Sequence, residues 1–165
     1  WFAYQLGYGI DDLIFQNSSF LLEYNWTDQR IYKHKYKIND FYTHGEPLGF
    51  WAGPHSEELL ASYSLMVDYS EISIRYSIVK RGLISDETTA ANYNDTYNSR
   101  YSDGYELKDY FSVRIQTASK IKGLNYIFGI NQIRFENNGL TNDFSSSNKY
   151  SIELGIFYNY QSIKD

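Results

Sequence analysis

The chain contains no cysteine, which excludes a disulfide framework and any thiolate metal site. It lacks a long apolar run: nothing approaches the roughly 20 consecutive apolar residues of a membrane-spanning helix. Mean hydropathy is -0.52, so a helical membrane bundle is excluded. A membrane β-barrel is not, because only every second strand residue need be apolar. There is no basic tract. The 15 Lys and Arg are outnumbered by 20 Asp and Glu, for a net charge of -5, which argues against a nucleic-acid partner. Proline is scarce too: the only two, Pro47 and Pro54, share one segment with all three histidines.

What the chain has in excess is aromatic residues, 19% of 165, with 18 Tyr and 10 Phe. Tyr suits a surface with an apolar body and wet ends, where the ring anchors at an interface. Seven stretches of the chain alternate apolar and polar positions at period two, the signature of strands with one greasy face. The clearest has Leu59, Ala61, Tyr63, Leu65, Val67 and Tyr69 on one side. The others are expected at about 2–10, 18–26, 72–80, 107–118, 124–135 and 149–160. In the sixth stretch the phase slips after Ile130 to Ile133 and Phe135, which suggests a bulge or a rim. Asp109 blemishes the apolar face of the fifth and is expected at a rim.

Short connections (from Asp11, around Ser70, and at 119–123) take turns with long polar ones (27–57, 81–106 and 136–148). Tight turns at one rim and long loops at the other characterise barrels of the bacterial outer membrane. The expected fold is therefore all-β: an antiparallel transmembrane β-barrel, located in the outer membrane. Residues 1–165 form about seven strands of a single barrel domain. Seven strands are odd in number and would leave two open edges in lipid. They are accordingly expected to be the C-terminal part of a larger barrel. The competing reading is a soluble β-sandwich or barrel with the apolar face turned inward.

The segment between the second and third strands carries a pattern. His34 of a Tyr-x-His stretch is followed by Gly45 to Gly49, then by Gly53-Pro54-His55-Ser56 and a strand from Leu59. Over about Glu23 to Asp68 this resembles the capsule-assembly Wzi family of outer-membrane proteins. The resemblance implies a monomeric, non-enzymatic barrel that holds or organises capsular polysaccharide at the cell surface. One departure is the end of the chain, Gln161 to Asp165, which lacks the terminal aromatic that barrel-insertion machinery usually reads.

The same loop reads consistently from its residues. Its glycines allow close backbone approach and its prolines limit freedom. Phe50 and Trp51 offer flat faces for sugar C–H surfaces, while His44, Glu46, His55, Glu57 and Glu58 offer hydrogen bonds. The carbohydrate-binding candidates are thus His44, Glu46, Phe50, Trp51, His55 and Glu57. A role for the two aromatics in loop packing is the alternative. Metal binding by His44 and Glu46 would need three or four convergent ligands, which this spacing does not establish. Glu57 and Glu58 are adjacent on a strand start and point to opposite faces, unlike a glycosidase pair. No nucleophile elbow or phosphate loop is present. The expectation is a non-enzyme with no cofactor and no metal.

Arg75 and Arg114 stand out among the residues expected to line a lumen, with Ser73, Ser77, Lys108, Gln116, Asn125 and Asn131. Ion pairing with Glu71 or Glu153 is the plainer role for both arginines. The expected partners are membrane lipid, surface polysaccharide and other outer-membrane proteins. A porin-like channel or transporter, or a barrel subunit of a larger surface complex, is the alternative function. An outer-membrane hydrolase lacks any motif here.

Overall fold

Successive side chains of a strand point to opposite faces, so Tyr4, Leu6, Tyr8 and Ile10 share one side of β1 (Ala3–Asp11). The computed structural model describes residues 2–31, 42–43, 46–47, 51–83, 100–102, 104–119, 121, 123–138 and 145–158. After β1 come β2 (Ser18–Thr27), the two-residue strands β3 (Tyr42–Thr43) and β4 (Glu46–Pro47), and then β5 (Ser56–Val67) and β6 (Ser70–Gly82). The last three are β7 (Tyr105–Ala118), β8 (Leu124–Asn138) and β9 (Ser145–Tyr158). Seven of them form one antiparallel sheet in the order β1-β2-β5-β6-β7-β8-β9, and β3 pairs only with β4. There is no helix among the described residues.

Register is what gives this sheet its character. Across the seven strands most apolar positions of one strand face apolar positions of the next, the exceptions including Gln132, between Phe111 and Tyr150, and Asp109, opposite Ile78. Tyr63 pairs with Phe20 and with Ile74. Ile74 pairs with Val113, Val113 with Ile130, and Ile130 with Ile152. A one-residue slip anywhere would turn a whole strand over, so the pattern fixes the pairing. The result is an apolar band on one face of the sheet. Nothing in the described residues covers it: Leu6 is 64% exposed, Ile130 46% and Leu154 78%. Buried hydrophobic residues are few and lie near the end with the long connections: Trp26, Ala52, Leu60 and Val79.

The opposite face is polar. Ser73, Arg75, Ser77, Lys108, Arg114, Gln116, Asn125 and Asn131 all sit on it by strand parity. Arg114 Nε lies 3.8 Å from Glu153 Oε2, the ion pair expected for it. Gly129 stands between these two positions. A Cβ there would come within 3.1 Å of Glu153 Oε2.

The strands run further than the hydrophobic alternation does. β8 and β9 keep pairing through Glu136↔Ser146 and Asn137↔Ser145, so the third connection, expected as a long loop, narrows to 139–144. It is no longer than the first short one, 12–17, and the loop asymmetry rests on the 28–55 and 83–104 connections. The ladder needs only backbone groups, which is why it continues where apolar residues stop. Of the bulge or rim expected in β8, the bulge is absent. Its register with β7 and β9 is unbroken, and Ile133 and Phe135 lie on the polar face. There the Lys108 ammonium sits over the Phe135 ring at 5.8 Å. Asp109, expected at a rim, pairs with Ile78 and Arg134 just beyond the apolar band.

Two turns carry backbone strain. Asp68, in the two-residue turn between β5 and β6, has φ 52°, and Ile14, between β1 and β2, has φ 74°. A β-branched residue in that region is unusual and unfavourable. Replacing Ile14 with Asn, which tolerates it, is expected to raise stability by about 1 kcal/mol, read as a higher urea midpoint. An unchanged or lower midpoint would contradict the strain.

Candidate functional site

Four strands contribute to a cavity of about 420 Å³ at the long-loop end of the polar face. Gln5 lies beside Asn25, and Asn25 beside Glu58, in one cross-strand row. The next row holds Glu23 and Leu60, paired across β2 and β5. Arg75 enters from β6, one row deeper, opposite Ser62. Trp51, from the connection before β5, completes the lining.

Glu58 organises this group. It is 3% exposed, and its carboxylate accepts three hydrogen bonds. Asn25 Nδ2 donates to Oε2 at 3.2 Å, Trp51 Nε1 donates to Oε2 at 3.1 Å, and Ser77 Oγ donates to Oε1 at 2.5 Å. A buried carboxylate is costly unless its oxygens are satisfied in this way. The Trp51 bond tethers the indole by its edge while the side chain stays 55% exposed. Gln5 Nε2 donates to Glu23 Oε1 at 2.8 Å. What results is a fixed aromatic face beside amides, carboxylates and one guanidinium.

The other sequence candidates lie elsewhere. Glu57 sits on the apolar side of β5, where Tyr24 donates to its Oε2 at 2.8 Å. It shares no surface with Trp51. His55 is buried, and its Nδ1 donates to the Leu83 carbonyl at 2.7 Å. Its ring stacks on Tyr101 at 5.9 Å between centroids. Burial, with the Arg100 guanidinium close by, holds its pKa below the ordinary histidine value. Burial likewise pushes the Tyr101 phenol up. His44 and Phe50, and the side chain of Glu46, lie outside the described residues. Arg75 lines the cavity, whereas Arg114 sits further across the sheet, on β7.

Around His55 the rim is knotted together. Arg100 donates to the carbonyls of Thr27 at 2.6 Å and Ser56 at 2.9 Å. Its guanidinium lies 4.4 Å from the Trp26 ring centroid, and Trp26 stacks in turn on Phe2 and Tyr4. Thr27 Oγ1 donates to the Gly53 carbonyl at 2.8 Å. These bonds fix residues 51–56 against β2 and thereby set where Trp51 stands. Among the described residues, no group of three or more His, Asp or Glu converges as a metal site would.

Gln5, Glu23 and Asn25 were not singled out from the sequence. They are polar positions in the period-two pattern of β1 and β2, but their meeting depends on pairing between residues far apart in the chain. No family model matches this chain, and no curated protein or solved structure is detectably similar to it.

Two outcomes are expected of the rim. A Cβ on Gly82 would stand 2.7 Å from the His55 ring, so Gly82→Ala should cost about 1–3 kcal/mol, seen as a lower urea midpoint. The depressed histidine pKa fixes the sign of a pH effect. The unfolded chain takes up a proton near pH 6.5 that the folded chain resists. The stability tied to neutral His55 is present above that pH and is lost as pH falls toward the folded value. The urea midpoint should therefore drop between pH 7 and 5, and less so in His55→Gln. An equal drop in both proteins would contradict this.

Proposed function

We propose that this chain is part of a non-enzymatic β-barrel of the bacterial outer membrane that binds or organises surface polysaccharide. The observation that carries the reading is the apolar band, continuous and in register across seven strands and exposed along its length. Leaving a Leu, Ile or Phe in water forfeits about 1.5–3 kcal/mol each. More than a dozen such side chains on one sheet make a patch far larger than soluble proteins present. Lipid is the partner that suits it. A bilayer also accounts for the polar opposite face, which then faces an enclosed lumen.

Strand direction adds a constraint on closure. Neighbours in the sheet alternate in direction, so β1 and β9, its two edges, run the same way. An antiparallel barrel that includes both needs an odd number of further strands between them. Lipid would not tolerate the edges as they stand.

Support for polysaccharide as the ligand comes from Trp51 and its cavity, together with the resemblance of about Glu23 to Asp68 to the Wzi family. A tethered indole face beside Gln5, Asn25 and Glu23 is the combination on which a sugar ring stacks while its hydroxyls find partners. A porin-like channel is the competing function, since most of the face opposite the apolar band is polar. Full-length protein in detergent should bind surface-glycan oligosaccharides, and Trp51→Ala should weaken that binding about tenfold, or about 1.4 kcal/mol. Calorimetric titration checks both. Absence of glycan binding by folded protein, with steady single-channel conductance in a planar bilayer, would favour the channel.

A further inference from the structure

We propose that the cavity beside Trp51 selects an acidic saccharide, a hexuronate-type sugar whose carboxylate is held by Arg75. This rests on the glycan-binding reading and narrows its ligand class. The starting point is the distribution of charge on the polar face. Arg81 and Lys108 share Glu106, at 3.8 and 3.1 Å, and Arg114 faces Glu153. Arg75 has no carboxylate within 4 Å among the described residues. Its cross-strand neighbours are Ser62 and Ser112, and Ser73 and Ser77 flank it along β6 on the same face. These short hydroxyl side chains leave the guanidinium standing clear, and it is largely exposed.

The carboxylates of the cavity are already engaged. Glu58 accepts from Asn25, Trp51 and Ser77, and Glu23 accepts from Gln5. The open valence of the site is therefore the cation. A guanidinium presents a planar fork that matches a carboxylate with two parallel hydrogen bonds. Glu23 and Glu58 lie toward β1, β2 and Trp51, and Arg75 lies one row deeper on β6. A bound sugar would keep its acid group away from those two carboxylates and at Arg75. Its hydroxyls would donate to Glu23, and its ring would cover the indole. The cavity volume of about 420 Å³ falls within the range of small-ligand sites.

The test uses full-length protein in detergent, titrated with an oligogalacturonate and with a neutral malto-oligosaccharide of equal length. The acidic ligand is expected to bind about tenfold more tightly, the worth of one charge-assisted pair. Arg75→Gln should abolish that preference. Lys149→Gln, which removes a charge from the same face at the β9 edge, should keep it. Equal binding of the two ligands, or a preference that survives Arg75→Gln, would overturn the proposal and leave glycan binding standing. If neither ligand bound to folded protein, the glycan reading would fall as well. If Arg75→Gln lowered the urea midpoint but left the preference intact, the role of Arg75 would be structural, and the proposal would again be overturned.

Discussion

The structure depends on one constraint: the apolar stripe of each strand must meet the apolar stripe of its neighbour. Seven strands satisfy it without a slip, from Leu6 beside Tyr24 in β1 and β2 to Phe128 beside Leu154 in β8 and β9. In a water-soluble sheet such a face is covered by a second layer. Among the described residues nothing covers it here. The proposal of a lipid-facing sheet rests on this face, and the remaining features are arranged by which side of the sheet it occupies. The serines, amides and arginines are left to the other side, and it is on that side that a cavity forms.

The cavity owes its shape to the rim. Arg100 lies over Trp26 and ties the carbonyls of Thr27 and Ser56 together. That holds residues 51–56 on the end of the sheet, which brings the Trp51 indole within reach of Glu58. Glu58 in turn fixes Asn25 and Ser77. A buried carboxylate with three donors is stable only while all three stay in place, so the rim and the cavity floor support each other. The exposed guanidinium of Arg75 sits just below this braced layer.

Much of the fold was legible in the sequence because period-two alternation directly reports the face of each side chain. The seven long strands and their phases can be read that way. Their ends cannot. Residues 136–138 and 145–148 are polar on both faces, and a backbone ladder leaves no mark on polarity. Ile133 and Phe135 misled for the opposite reason. Two apolar residues looked like a slipped phase, when they are polar-face residues accommodated by the stem of Lys108 and by Tyr110, opposite Ile133. The opposed directions of Glu57 and Glu58 followed from parity alone. Trp51 was legible as an aromatic in a Gly- and Pro-bearing loop. Arg75 was legible as a lumen-facing cation, but its meeting with Gln5, Asn25 and Trp51 was not, because only register brings β1, β2, β5 and β6 to one place. His55 read as a ligand group because a histidine in a loop usually faces water; here a stacked Tyr101 and the Leu83 carbonyl enclose it.

The absence of cysteine makes the central claim open to a direct measurement. Single cysteines placed in turn at positions 126 to 133 of β8 can carry a nitroxide label in protein reconstituted into liposomes. Collision rates with oxygen, which concentrates in lipid, and with a water-soluble nickel chelate then report the surroundings of each label. The account predicts a period-two alternation, with oxygen contact highest at 126, 128 and 130 and nickel contact higher at 127, 129 and 131. Labels at 126, 128 and 130 that met neither reagent, or that met nickel freely, would place that face against protein or water and contradict the account.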